Sequence, residues 1–264
     1  MDKKKGIYWG YAPHLKWELN TIRDTRAFRA GQWLSDKARS RAYPARLLRY
    51  WFMYHFLRVE CEHQGRALDV CEIGIDKGQM REFVSEATKL SPETAPKISA
   101  WRGVDMYLQR EYLEKLDYSD LLEARLENTD QYLSPAPDVI VLLHILEHLM
   151  EPEAAVVTLS EQMKAGSVII GGLPSLPHMF EDAREVKIRA NPNDNGHVSA
   201  FSPERMRRLA EQSGLQLEFL TGAFFVRASG NWLEDQPWWI RFGFRFSRMF
   251  PAWPGETYWV LRKK

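Results

Sequence analysis

Val70-Cys71-Glu72-Ile73-Gly74-Ile75-Asp76-Lys77-Gly78-Gln79 reads as a short apolar strand running into a glycine-bearing turn, with a helix beyond it. Glycine at such a turn lets the backbone approach a ligand closely, and the first turn of the helix offers free N–H groups. Taken alone, Gly-x-x-x-Gly fits an ordinary tight turn equally well. It is not a G-x-G-x-x-G pattern, because Asp76 stands in the middle position, and an aspartate next to a pyrophosphate is repelled. A cationic ligand tolerates it.

Working outward, apolar runs and helical patterns alternate. The spacing predicts strands at 67–73, 97–104, 138–143, 166–171 and 215–226, with a brief one near Leu126. Helices are expected over 79–90, 107–122, 153–163 and 202–213, the last capped by Ser202 and stopped by Gly214. Asp-Val-Ile-Val-Leu-Leu at 138–143 is continuously apolar, as suits a parallel strand buried on both faces. Strands and helices in this rhythm mean a doubly wound α/β sheet of Rossmann-like type. A last strand at 257–262 fits an antiparallel edge.

Two more places carry chemistry. Asp105, in Gly103-Val104-Asp105-Met106, ends the next strand, thirty-one residues after Gly74. A carboxylate there can accept two hydrogen bonds from ribose hydroxyls. The alternative is a surface aspartate capping the following helix. The buried 138–143 strand then ends in His144-Ile145-Leu146-Glu147-His148, at the carboxyl edge where open α/β sheets bind ligands. His-x-x-Glu-His matches an inverted zinc-protease motif in letters, but those enzymes carry it on a helix.

At this segment the chain resembles the class I S-adenosylmethionine (SAM)-dependent methyltransferases of the ubiquinone-biosynthesis type, whose "FDvIvxxxVLEHlxxP" pattern matches Pro137–Pro152. Lys164–Pro174 is similar to the family's "LkpGGxlxixxP" strand. Asn195–Met206, followed by Ser213-Gly214-Leu215, is similar to its "H-x-x-x-F-S-x-E-x-L … aGF" segment. The resemblance covers roughly residues 67–226. It implies a seven-stranded sheet and SAM as cofactor, with S-adenosylhomocysteine (SAH) as product. Glu72, Gly74 and Gly78 would line the methionine end, Asp105 would hold the ribose and Met106 would lie against the adenine. Asn128, Thr129 and Asp130 would meet the adenine amino group, and His144 would lie beside the methionine moiety. The family usually has a second glycine where this chain has Asp76. A divalent cation on Glu147 and His148 is an alternative that the resemblance allows, although no metal is required. The other reading of these two residues is that they orient the loop.

Methyl transfer is an in-line displacement whose activation the cofactor carries. A hydroxyl acceptor also wants a base, and histidine suits that near neutral pH. His148 and His197 are the candidates, and either can equally be structural; His178 is a weaker third. The acceptor expected is a small molecule or glycan, methylated on oxygen. The different-class alternative is a catalytically degenerate methyltransferase-fold binding protein, a reading that Asp76 keeps open. No Asn-Pro-Pro-Tyr-like motif follows the fourth strand, so a nucleic-acid substrate is not expected.

The whole chain of 264 residues has a formal charge of +1, but unevenly spread. Residues 1–60 hold thirteen Lys/Arg against five Asp/Glu, and residues 231–264 hold six against three. Residues 1–65 are expected as a basic, helical extension or lid. Within it, Leu47, Tyr50, Trp51, Tyr54 and Leu57 form one helical face, expected to pack on the main domain, in a helix ended by Gly65. Residues 66–264 are then the SAM-binding domain, with an insertion at about 230–255. In residues 232–250 aromatics alternate with arginines, which suits a dimer-forming or core segment, or a helix lying on anionic lipid. Two reduced cysteines, Cys61 and Cys71, and no signal-peptide pattern suggest a cytoplasmic protein, peripheral to a membrane if 232–250 touches lipid. A homodimer is the assembly to consider.

Overall fold

A computed structural model describes residues 43–191, 196–225 and 237–264, together with Tyr8 and Leu233. Expectations that fall on residues 1–42 other than Tyr8, on Asn195, on Val226, or on 230–232 and 234–236 therefore lie outside the described residues. Helix α1 (Tyr43–Gln64) leads into β1 (Leu68–Ile73), α2 (Gln79–Leu90), β2 (Ile98–Asp105) and the single turn α3 (Arg110–Leu113). Then follow β3 (Asp120–Glu123), β4 (Val139–Leu143), α4 (Pro152–Gln162), β5 (Val168–Ser175) and α5 (Glu181–Ala190). The chain closes with α6 (Pro203–Gln212), β6 (Leu215–Gly222), α7 (Pro237–Met249) and β7 (Gly255–Lys263).

The strands form one seven-stranded sheet in the order β3-β2-β1-β4-β5-β7-β6. All neighbours are parallel except β7, which runs antiparallel between β5 and β6. The order reverses between β1 and β4, so a crevice opens beyond their carboxyl ends. Alternate side chains of the central strands feed two cores. Val70, Val139, Val141, Val168, Ile170 and Val260 pack with α1 and α2. Cys71, Ile140, Leu142, Ile169 and Leu261 pack with α4 and α6. The result is a three-layer α/β/α sandwich, a Rossmann-like doubly wound sheet as expected.

Helix α1 is buried more widely than one amphipathic stripe allows. Phe52, Met53 and Phe56 are as inaccessible as Trp51 and Leu57. Gly65 follows it in the left-handed region, φ +66°. Where β7 inserts, Gly171 and Gly172 of β5 make room for its aromatics. A Cβ would come within 2.3 Å of the Trp259 ring and 2.4 Å of the Tyr258 ring.

Three expectations are corrected. The third strand lies at Asp120–Glu123, not near Leu126, because Ser119 N bonds Trp101 O and starts the ladder with β2. The 107–122 helix shrinks to α3, since the strand takes its second half. Strand β6 ends at Gly222, where a Cβ would meet Ser247 Cβ at 2.8 Å. Helix α5, acidic in its first turn and basic in its last, had not been expected. No helix among the described residues is long and apolar enough to cross a membrane.

Candidate cofactor and acceptor cleft

A cleft of about 1190 Å³ opens at the carboxyl edge of β1, β2 and β4. The β1–α2 turn forms one wall. Gly74 has φ +78°, and a Cβ there would come within 1.9 Å of Ile145 Cδ1, so the turn and the β4 loop lie in contact. Asp76 also has positive φ, 47°, a region that aspartate tolerates better than most side chains. Its backbone N–H donates to Asp105 Oδ2 at 2.9 Å. Its carboxylate accepts from Gln79 Nε2 at 2.8 Å and Gln109 Nε2 at 2.6 Å. Asp76 thus keeps the backbone shape a glycine would give, with its charge engaged by two amides.

Glu72, at the inner end of this wall, is 4% exposed. Trp101 Nε1 donates to its Oε2 at 3.0 Å and Tyr118 OH at 3.2 Å. Burial pushes its carboxyl up to about 7 even though those bonds and Arg81 pull the other way. Asp105, bonded to the same turn, lines this wall as well, and Met106 beside it is 53% exposed.

The opposite wall is the β4 loop. His144 sits at φ +59°, held by a 2.9 Å bond between its Nδ1 and Glu147 Oε1. Its Nε2 lies 3.6 Å from Glu256 Oε1, which Arg49 Nη2 reaches at 2.8 Å. Burial and Arg49 disfavour a charged His144, but the two carboxylates outweigh them and its pKa is raised. Glu147 is 1% exposed. Burial would raise its carboxyl, but His144 turns the shift downward. Its Oε2 has no hydrogen-bond partner among the described residues. His148 lines the cleft, and its ring meets His197 edge-on at 4.8 Å between centroids. Ligand atoms of Glu147, His148 and His197 all lie within 4.8 Å of one another, a grouping able to hold a cation. Burial is the main cause of a lowered His197 pKa, which keeps that ring neutral near pH 7.

Glu72, Gly74, Asp105, Met106, His144 and His148 therefore converge on one cleft. Five others do not line it. Gly78 is the left-handed N-cap of α2, φ +75°, and a Cβ there would meet Leu116 Cδ1 at 2.3 Å, so it shapes the turn from behind. Asn128 and Thr129 give way to Leu126 and Glu127 as lining residues, because a 3₁₀ turn at Thr129–Gln131 carries the chain inward and buries Thr129. Asp130 belongs to that turn, and its side chain lies outside the described part. His197 stands behind His148. Sequence reasoning missed Arg49 and Tyr50 on α1, Gln109, and Glu256 at the start of β7. The only signal for Arg49 was an arginine next to the apolar face of α1.

A family model described as a methyltransferase domain matches residues 27–219. None of the curated protein sequences matches. Among solved structures, the chain is similar to BamL, a plantazolicin methyltransferase in complex with a triazolic desmethylPZN analog and SAH. That likeness is at 16% identity over 96% of this chain and 99% of that one, TM-score 0.52. It is also similar to CalH, a trans-methyltransferase in complex with SAH, at 13% identity over 79% of this chain, TM-score 0.51. The CurJ carbon methyltransferase matches at 11% identity over 83% of this chain, TM-score 0.52. The chain spans 55% of each of the last two. At these identities the likeness is one of fold. The family match covers well over half the residues and runs through the whole cleft-forming part of the sheet as far as β6: the chain belongs to the methyltransferase-domain family and carries its class I, Rossmann-like fold.

Proposed function

We propose that this methyltransferase uses S-adenosylmethionine to methylate a hydroxyl of a small-molecule or glycan acceptor. The observation that carries the reading is the convergence in one cleft of Glu72, Gly74 and Asp105 on one wall with His144 and His148 on the other. The donor set suits the cofactor. A carboxylate at Glu72 and another at Asp105 match an ammonium and a pair of ribose hydroxyls. Gly74, without a Cβ, lets the turn pack directly on Ile145 of the β4 loop at the cleft's edge. Bound, the cofactor supplies a methyl group activated by its sulfonium.

The chain's own part is to hold the acceptor and take its proton. His148 lies in the cleft and can accept a proton from an acceptor hydroxyl. The adjoining neutral His197 and the negative Glu147 steady the charge that forms on it. General-base assistance of this kind is worth roughly 10²–10⁴-fold in rate. The rest of the acceleration is alignment in the cleft, worth up to about 7–11 kcal/mol. The degenerate reading loses its main support, since Asp76 preserves the turn's backbone and points its charge at two glutamines.

Calorimetry with SAH tests the cofactor, and a radiolabelled methyl group offered with hydroxylated acceptors tests the reaction. His148→Gln is expected to lower transfer by roughly 10²-fold or more with SAH affinity kept within about threefold. A chain that binds no SAH overturns the enzyme reading, and full activity of His148→Gln overturns the base.

A further inference from the structure

Helix α7, in the β6–β7 connection, lies beyond residue 219, where the family match ends. One side of α7 is committed to the protein. Phe244 is buried, 5.7 Å from the Phe52 ring of α1, and the Ser247 hydroxyl donates to Phe224 O at 2.6 Å. The other side faces outward. Trp238, Phe242, Met249 and Phe250 are 54, 44, 69 and 54% exposed, and Trp253 is 42% exposed. Their neighbours hold them in place. Phe242 stacks on Trp239 at 5.6 Å, Phe250 lies 4.9 Å from Phe246, and Trp253 stacks on Phe225 at 5.7 Å. A contiguous, preformed apolar patch of this kind marks an interaction surface.

The charge around the patch selects its partner. At 100° per residue, Arg241, Arg245 and Arg248 border the Trp238–Phe242–Met249 stripe along one side. Residues 237–255 contain no Asp or Glu. An isologous contact with a second copy would set Arg241 and Arg245 of one copy against the same arginines of the other. A bilayer with anionic headgroups offers both what the rings and what the guanidiniums want. The topology also places the patch usefully. Strand β6 runs parallel to β5, so its carboxyl end, from which the α7 segment departs, lies on the edge that holds the cleft. Helix α1, against which α7 packs, contributes Arg49 and Tyr50 to that cleft.

We propose that the outer face of α7, with Trp253, docks on an anionic lipid bilayer, its aromatic rings at the headgroup boundary and Arg241 and Arg245 on lipid phosphates. The docking stands independently of the catalytic reading. Where that reading also holds, the acceptor is one carried in or on the membrane.

Flotation of the full chain with vesicles of phosphatidylcholine alone, or with phosphatidylglycerol added, tests the proposal. Binding is expected only to the anionic vesicles, and it should weaken as salt rises. The pairs Trp238→Ser with Phe242→Ser, and Arg241→Gln with Arg245→Gln, should each lower partitioning on the order of tenfold. The shift in melting temperature caused by SAH reports separately on fold and cleft, and should match that of the parent. The proposal is overturned by no flotation, by equal flotation of parent and variants, or by a dimer that the same variants abolish while vesicles are ignored.

Discussion

Glu72 pays a cost in the folded chain that a purely structural residue would have no reason to bear. Its folded pKa, about 7, stands above the ordinary 4.5 because burial disfavours the charged form. A raised folded value means its favourable contribution is complete below pH 4.5 and disappears as pH rises through 7. The difference is worth about 3 kcal/mol. Glu72→Gln keeps an oxygen able to accept from Trp101 and Tyr118 and removes that cost. Melts of the ligand-free protein should show Glu72→Gln stabilised at pH 8 and indistinguishable from the parent near pH 4.5. SAH affinity should fall by roughly 10–100-fold, the range for losing one hydrogen bond to a charged group. A variant that gains no stability at pH 8 refutes the burial argument, and one that keeps its SAH affinity takes Glu72 out of the cofactor site. At this scale the sequence was informative where a residue ends a strand. Asp105 closes β2, Glu72 is next to last in β1 and His144 directly follows β4, and these strand ends open into the crevice. It was uninformative where a residue comes from far along the chain, as Arg49 does in lining the cleft and Glu256 in contacting His144.

Among the elements, the β1–α2 turn and the α1–β7 contact each make a definite demand. Gly74 requires φ +78° and leaves no space for a methyl group against Ile145. Gly74→Ala is therefore expected to cost about 1–2 kcal/mol in urea unfolding, because a side chain resists the left-handed region. It should weaken SAH binding as Ile145 is pushed aside. Across the sheet, Arg262 of β7 meets Glu60 of α1 at 2.8 Å and Glu218 of β6 at 2.7 Å, with Tyr8 OH also bonded to Glu60. Glu60 is inaccessible. Arg262→Met leaves that buried carboxylate with Tyr8 and Gln64 but without its guanidinium, and should cost about 3 kcal/mol or more. Adding Glu60→Leu should recover much of the loss. If the double variant is as unstable as the sum of the two single ones, the pair is not coupled. Helices long enough to show a period, such as α2 and α6, were legible from the sequence, and β4 was legible from its unbroken apolar run. Strand β3 was not. Four residues, DLLE, carry too little periodicity to stand out beside an amphipathic neighbour, and only pairing with β2 defines them.

On the scale of the whole molecule, the sequence sets residues 1–65 apart as an extension yet expects the helix within it to pack on the main domain, and α1 shares one core with the sheet. Trp51, Phe52 and Phe56 belong to the same buried cluster as Val70, Val141 and Val260. The divide is drawn because α1 precedes the first strand and is basic overall. A helix is assigned to a core by what covers it, and that information lies some two hundred residues away in β7, where Tyr258 stacks on Phe52 at 4.2 Å. Shared burial has a consequence for cooperativity. If α1 is a layer of the core, it cannot open as a lid without exposing the sheet, so its amides should exchange only through global unfolding. Hydrogen exchange is expected to protect 48–57 as strongly as 139–143, and calorimetry to show one transition. Saturating SAH at about a hundredfold above its Kd should raise that transition as a unit by about 2.7 kcal/mol, or some 5–10 °C for a chain this size. Early exchange across 48–57, with 139–143 still protected, would restore α1 as a mobile cover and move Arg49 and Tyr50 out of the preformed cleft.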